Sequence, residues 1–372
     1  MEQEMICRLL LQKIIACELP PGSFFPAEPE LAKQLNTSRM KVHRALNVLR
    51  RGGVAASRPH CGTMVVPLTD LLPAKQLLAF FLRKVAVMYA SPPDNIHWQM
   101  SALETLKNEL ERYGFETAFY PFRDRSRKMP SNFSEVLGSI SENEFGSVVL
   151  LPTHSRQITE HAALLRSKSF RFFLLNYSGL SALFRIPRMH QVIYDHYADG
   201  FFLGDLLGRS GCRNVILLSS RSVMSWSLDR CEGACDGLHQ HFPDLKVAMV
   251  PSSVRGVGVL RDFIRRKGPE TVVVTAHCDY AVSTDNILQR ENLLCGRDYK
   301  LITFADNSGY AVRKYTALAL PGNRAGAELA ALVSKTQGKT QFTERLAVML
   351  TSELVVRNSF IPGAGSENIC AK

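Results

Sequence analysis

The stretch LPPGSFFPAEPELAKQLNTSRMKVHRALNVLRRGGVAASRPHCGTMVV, residues 19–66, decides how the first part of the chain folds. Its opening Leu19-Pro20-Pro21-Gly22 is strong turn chemistry and ends a helix predicted over residues 5–16. In that helix Ile6, Leu9, Leu10, Ile14 and Ile15 recur at helical spacing. Pro29 suits the first turn of a second helix over 29–34, with the acid Glu28 near its positive end. Asn36-Thr37-Ser38 is a polar turn in which Ser38 is a good N-cap. A third helix, Arg39–Arg51, follows, with Val42, Ala45, Leu46 and Leu49 on one face, and Gly52-Gly53 stops it. Residues 54–66 have short apolar ends around the polar, basic tip Ser57–Gly62, which predicts a small β-hairpin.

Helix, helix, turn, helix and hairpin in this order make a winged helix-turn-helix, assigned to residues 1–66. Residues 67–83 combine prolines with a short amphipathic stretch and are taken as a linker. An alternative reading makes 74–83 a helix packed on the following domain. From Lys84 onward strands and helices alternate. The expected strands are 84–90, 116–120, 147–151, 171–175, 191–194, 214–219, 245–250, 271–275, 300–304 and 316–320. Helical patterns such as Gln99–Tyr113 and Ala198–Arg209 lie between them. Ten strands over this length suit two lobes better than one sheet. The expected architecture is therefore α/β: a winged helix followed, over 84–372, by a two-lobed domain that binds ligand and dimerises.

The chain carries a net charge of +11, which favours a polyanionic partner such as nucleic acid. Its nine cysteines are irregularly spaced, and only Cys231 and Cys235 lie close, so neither a zinc site nor a disulfide framework is expected. No secretory signal and no apolar run of membrane-spanning length is read, which points to a cytoplasmic protein with no membrane partner.

The first 66 residues resemble the GntR-type winged helix through LPPGSFFPAEPELAKQL, TSRMKVHRALNVLRRGGV and CGTMVV. The remainder resembles the sensor of the lactose and ribose repressors, related to type I periplasmic sugar-binding proteins. The stretches carrying this are MSALETLKNELERYGFE, VIYDHYADGFFLGDLLGRSGCRNVILL, DRCEGACDGLHQH, VVVTAHCDYAVSTDNIL, LITFADNS and LVVRNS. The combination resembles arabinose-type repressors, which fuse these two modules. It implies a transcriptional regulator, in most such cases a repressor, that binds double-stranded operator DNA and answers to a small effector, a sugar.

A recognition helix needs hydrogen-bond donors near its amino end, because that end enters the major groove. Ser38, Arg39, Lys41, His43 and Arg44 cluster there. Arg39 or Arg44 can fork onto guanine and Ser38 can bind a phosphate. The resemblance places Arg39 on DNA, with Ser38 and His43 close by. The hairpin tip, with Arg58, His60, Gly62 and Thr63, is expected at the adjacent minor groove or backbone. Pro29 stands where relatives often carry an arginine or another polar residue, so one phosphate or base contact is expected to be missing. A single winged helix reads only a few base pairs, so a homodimer is expected.

In a two-lobed sensor the ligand lies beyond the carboxyl ends of the strands. Asp195 follows one strand and is either a cleft residue, a helix cap, or both. Arg230 matches the family's cleft arginine, or else makes a structural salt bridge. His277 and Asp279 follow the strand TVVVT, where relatives usually have Asn-Asp. Asp306 follows KLITF, one residue later than the family's acidic pair. Trp98 stands where aromatics often cover a ligand. These departures leave room for a modified sugar or for a sensor that serves only as a dimerisation scaffold. The third alternative, fusion to an enzyme that uses pyridoxal phosphate, lacks a cofactor lysine in a suitable setting. No hydrolase elbow, metalloprotease or phosphate-loop pattern occurs. The chain is read as a non-enzyme without a cofactor or a metal.

Overall fold

The computed structural model describes residues 2–67, 70–91, 97–123, 130–152, 156–179, 186, 188–220, 224–306, 314–337 and 345–362. The amino-terminal helices are α1 (Gln3–Ile15), α2 (Glu28–Gln34) and α3 (Arg39–Arg51). Ile6, Leu10 and Ile14 of α1 are fully buried with Val42, Ala45 and Leu49 of α3. The Ser38 hydroxyl caps α3 by accepting from the Lys41 amide at 3.4 Å.

The hairpin pairs β1 (Ala55–Arg58) with β2 (Gly62–Val65), Arg58 standing opposite Gly62. Gly62 has φ +101°, a turn conformation that glycine adopts without strain. Residues 22–25 line the other edge of β2: the Gly22 and Phe25 amides donate to the carbonyls of Val65 and Thr63, each at 2.9 Å. The segment read only as a turn thus also braces the wing.

Within 67–83 lies α4 (Leu72–Leu78), which packs on α1. Ala74, Leu77, Leu78 and Phe80–Leu82 join the winged-helix core. The end of this segment also reaches the next domain. The Phe80 ring lies 5.1 Å from the buried guanidinium of Arg171, and the Gln337 amide contacts the Leu82 carbonyl at 3.5 Å.

Two six-stranded sheets follow. The first contains β3 (Lys84–Ala90), β4 (Glu116–Phe122), β5 (Phe145–Leu151), β6 (Arg171–Asn176) and β7 (Met189–Tyr194). The second contains β8 (Val215–Ser219), β9 (Ala248–Pro251), β10 (Val272–Thr275), β11 (Lys300–Phe304) and β12 (Thr316–Ala319). A late strand β13 (Ala347–Leu350) returns to the first sheet, and β14 (Glu353–Val355) goes to the second. The orders are β4-β3-β5-β6-β7-β13 and β9-β8-β10-β11-β12-β14, all parallel except β14. All ten expected strands are present. The two unexpected ones are short edge strands of mostly exposed or half-buried residues, drawn from the brief apolar runs at 346–350 and 354–356.

Lobe 1 carries α5 (His97–Arg112), α6 (Phe133–Ser139), α7 (Arg156–Glu160) and α8 (Ala162–Ser167). Lobe 2 carries α9 (His196–Arg209), α10 (Ser225–His239), α11 (Val254–Lys267) and α12 (Cys278–Arg290). The last helix, α13 (Gly322–Thr336), packs on α5. Both faces of each sheet are covered by separate apolar clusters, which explains the continuous Val/Ile/Leu/Phe runs in the strands.

The chain passes between lobes three times: through β7–α9–β8, β12–α13–β13 and β13–β14. Helices α9 and α10 meet backbone to backbone. A Cβ on Gly200 would lie 2.3 Å from the Arg230 carbonyl oxygen, and one on Gly233 2.2 Å from that of Tyr197. This contact holds the first crossover against the helix that carries Arg230.

Candidate functional site

Two regions concentrate the candidate residues. The first is the amino end of α3. Ser38, Arg39, His43 and Arg44 are exposed there, with Lys41 half-buried. Glu28, at the start of α2, binds two of them. One carboxylate oxygen takes His43 Nδ1 at 2.8 Å, and the other takes Arg39 Nε at 3.4 Å. The His43 hydrogen bond, supported by Arg39, holds the Glu28 carboxyl below the usual carboxylate range despite partial burial. Lys41 lies 3.9 Å from Glu2. In the wing, Arg58, His60 and Gly62 are exposed and Thr63 is half-buried. The Arg58 guanidinium lies along Met64, with Nε 3.3 Å from its sulfur.

The second region is the cleft between the lobes. Arg230, on α10, is fully buried. One Nη donates to the Ala276 carbonyl at 2.7 Å, while Nε and the other Nη have no hydrogen-bond partner among the described residues. No carboxylate forms an ion pair with it among those residues. Instead it sits 5.1 Å from the Phe304 ring centroid, 5.2 Å from Trp226 and 5.9 Å from Tyr177. Ring quadrupoles compensate such a charge only in part.

Around it the lobes touch. Tyr177, just after β6, lies 5.9 Å from Trp226 of α10, ring to ring. The Ser225 hydroxyl donates across the cleft to the Ser178 carbonyl at 3.3 Å. His196 Nε2 donates to the Tyr177 carbonyl at 2.6 Å, and His196 Nδ1 is buried without a partner. Burial, with the nearby Arg230 charge, holds this imidazole neutral, its pKa far below the ordinary value. His277 caps α12: its Nδ1 accepts from the Asp279 amide at 3.3 Å. Burial pushes its pKa down to about 4, the Asp279 carboxylate opposing and Arg230 assisting. The donor atoms of His277, Cys278 and Asp279 lie within 4.8 Å of one another. A metal there would have to displace the helix cap and sit near an arginine, so these residues are a poor ligand set.

The acidic residues at the cleft are already engaged. Asp195 caps α9, accepting from the Ala198 amide at 3.0 Å. Asp199 is buried and accepts from both the amide and the hydroxyl of Ser352, each at 2.6 Å. Burial nevertheless raises its pKa, against those bonds. This bond ties the first crossover to the third. Asp306 accepts from Arg357 at 2.5 Å and has its other oxygen buried without a partner among the described residues. Thr275 Oγ1, at the carboxyl end of β10, and Oε1 of Gln99, an α5 residue whose Nε2 donates to the Leu151 carbonyl at the end of β5, are also buried and unpartnered among the described residues.

The model of the family described as bacterial regulatory proteins, gntR family, matches residues 2–65. A curated Escherichia coli (strain K12) protein, the uncharacterised HTH-type transcriptional regulator YieP, is 36% identical over 63 residues. That match covers 17% of this chain and 27% of YieP, so the chain spans about a quarter of that relative's length. The segment matched by the family model includes both the α2–α3 pair and the wing. The amino-terminal module is a gntR-type helix-turn-helix domain.

Beyond it, a LacI transcriptional regulator from a Rhodococcus species has the same fold. The likeness has a TM-score of 0.55 at 16% identity and covers 75% of this chain and 99% of that one. A LacI-family sugar-binding transcriptional regulator from Escherichia coli, in complex with phosphate, gives a TM-score of 0.54 at 14% identity, covering 75% and 99%. At such identities the likeness establishes the two-lobed fold alone.

In the gntR-type domain the structure gathers Ser38, Arg39, Lys41, His43 and Arg44 at one helix end. In the two-lobed domain it brings Arg230 and His277 to one cluster. Asp279 points outward, its side chain 73% exposed, and Asp306 is held by Arg357. The Trp98 side chain lies outside those described. Sequence reasoning missed Glu28 as a partner of Arg39 and His43, and missed Tyr177, His196 and Trp226 in the cleft. Tyr177 was signalled only by an aromatic directly after a fully buried strand.

Proposed function

We propose that the chain is a transcriptional regulator that binds operator DNA through its gntR-type domain and is controlled by a small polar effector held between the lobes. The observation that carries this reading is the exposed, cation-rich amino end of α3 beside the wing. The division into a DNA-binding unit (1–66), a connection (67–83) and a sensing and dimerising unit (84–372) belongs to the same proposal. So do Ser38, Arg39, Lys41, His43, Arg44, Arg58, His60, Gly62 and Thr63 as DNA contacts. The protein acts as a homodimer in the cytoplasm, most simply as a repressor, and without enzymatic activity. The test is selection of binding sites from random duplex DNA. Enrichment of a sequence with two related half-sites supports the reading; no enrichment at low salt overturns it.

For the effector, a sugar agrees with Arg230, His277 and the partnerless Gln99, Thr275, His196 and Asp306 atoms, all of which call for a polar, hydrogen-bonding occupant. Asp195 and Asp279 line the rim, and Trp98 is proposed to cover the ligand. A second reading, a sensor that serves only as a scaffold, is favoured by the ring contact of Tyr177 with Trp226 across the cleft. Thermal melts with a panel of mono- and oligosaccharides separate the two. An effector at one hundred times its Kd adds about 2.7 kcal/mol of stability. A flat panel supports the scaffold.

A further inference from the structure

We infer that His43 is a proton-gated DNA contact and that Glu28 is the residue that positions it. The inference rests on the DNA-binding reading of α3. Glu28 stands on a different helix from His43 and Arg39, yet engages both, one carboxylate oxygen each. Because Nδ1 is 2.8 Å from a carboxylate, it must carry the proton. That fixes the tautomer: the Nε2 edge is left for whatever the half-exposed ring faces.

The protonation state then decides what that edge offers. In the neutral ring Nε2 is a bare lone pair, which meets a phosphate oxygen or a guanine N7 acceptor to acceptor. In the imidazolium Nε2 becomes a charged donor to those same atoms. The trio Arg39, Glu28 and His43 sums to zero charge with a neutral imidazole and to +1 with a protonated one. DNA binding is therefore accompanied by proton uptake and is tighter at lower pH.

The other charged groups on the elements packed around α3 are committed elsewhere or also cationic. On α1, Glu2 meets Lys41 and Glu4 meets Arg83. On α2, Glu30 accepts from Gln34. On α3 itself, Arg50 donates to Ser57 and Asn47, while Arg44 and Arg51 add positive charge. Arg58 of β1 lies along Met64. His60, at the wing tip, is the other exposed histidine of this domain and needs its own control.

The test uses the full-length protein and a duplex obtained by selection. Fluorescence anisotropy at pH 6.0 and 8.0 is repeated over a range of salt concentrations. Wild type is expected to bind roughly tenfold tighter at pH 6.0. Its salt slope should be steeper there by about one unit per half-site. His43→Gln should show neither change, whereas His60→Gln, at a proposed wing contact, should bind more weakly at both pH values yet keep the pH response and the steeper low-pH salt slope. Glu28→Gln, folded as judged by a single cooperative melt, should bind more weakly at both pH values with a smaller pH response. A response that persists in His43→Gln, or that disappears in His60→Gln, overturns the inference. So does a Glu28→Gln variant with the wild-type pH profile. Failure to select any duplex would instead strike the DNA-binding reading itself, so the two failures are distinct.

Discussion

At the amino end of α3, Arg39 has a side chain 72% exposed and shares Glu28 with His43; in the cleft, Arg230 is 0% exposed and has no carboxylate partner among the described residues. The first arrangement costs little, because water screens the pair and releases it readily to a polyanion. The second is a standing cost, met partly by three aromatic rings and one carbonyl. A surface built for exchange keeps its charges paired but exposed. Under the proposed function, the buried donors of the cleft await a specific occupant. The contrast predicts that substitutions at α3 change binding and leave stability alone, whereas substitutions around Arg230 act on stability and ligand response together.

The largest expected effect is on DNA affinity. Arg39→Glu adds a negative charge beside Glu28 and should weaken binding about 100-fold or more, with an unchanged melting temperature. Anisotropy with the selected duplex reads the first, and a thermal melt the second. A fall in both would place Arg39 in the fold rather than at the interface.

The largest effect of acid on stability should fall on the sensor, whereas at α3 acid acts mainly on DNA affinity. His190 is buried, stacked 5.1 Å from Phe173, and burial with the Arg171 charge pushes its pKa down to about 4. The unfolded chain takes up this proton first, so stability falls as pH drops from about 6.5 towards 4 and then levels off. The full effect is about 3 kcal/mol. Denaturant melts between pH 7 and 4 should show this slope, and His190→Gln should remove its share while those of the buried His196 and His277 remain.

The α9–α10 contact gives the next effect. Gly200→Ala forces a methyl against the Arg230 carbonyl and should cost about 1–3 kcal/mol in a denaturant melt. Arg230→Met sharpens the comparison further. It removes a buried, underpaired charge and should leave the protein equally or up to about 2 kcal/mol more stable, while abolishing stabilisation by any effector. Marked destabilisation with ligand response intact would make Arg230 structural. The smallest effect belongs to Glu28. Its depressed pKa adds stability above the ordinary carboxylate range, lost as pH falls through the folded value. Glu28→Gln should remove only about 0.2–1 kcal/mol of this.

The same contrast explains what the sequence disclosed. Helix caps and stops are local, so Ser38 and Gly52 located α3 to the residue, and buried parallel strands announced themselves as apolar runs. Helix α4 was obscured because its burial is against α1, some sixty positions earlier, and its prolines read as linker. Edge strands β13 and β14 do carry short apolar runs, at 346–350 and 354–356, but each is brief and lies at the rim of its sheet, where neither a long buried run nor a strict alternation marks it. In the cleft Arg230 was legible by resemblance. The rings of Tyr177 and Trp226 are not, since their meeting depends on how two lobes close. Glu28 was seen only as a helix-start acid, because its partners lie eleven and fifteen residues away on another helix.

The central claim is that the amino end of α3 and the wing tip enter duplex DNA. Hydrogen–deuterium exchange of the protein, free and bound to its selected duplex, tests this most directly. The account predicts new protection concentrated at residues 38–44 and 58–63. Protection confined to other surfaces, with α3 and the wing exchanging as in the free protein, would contradict it.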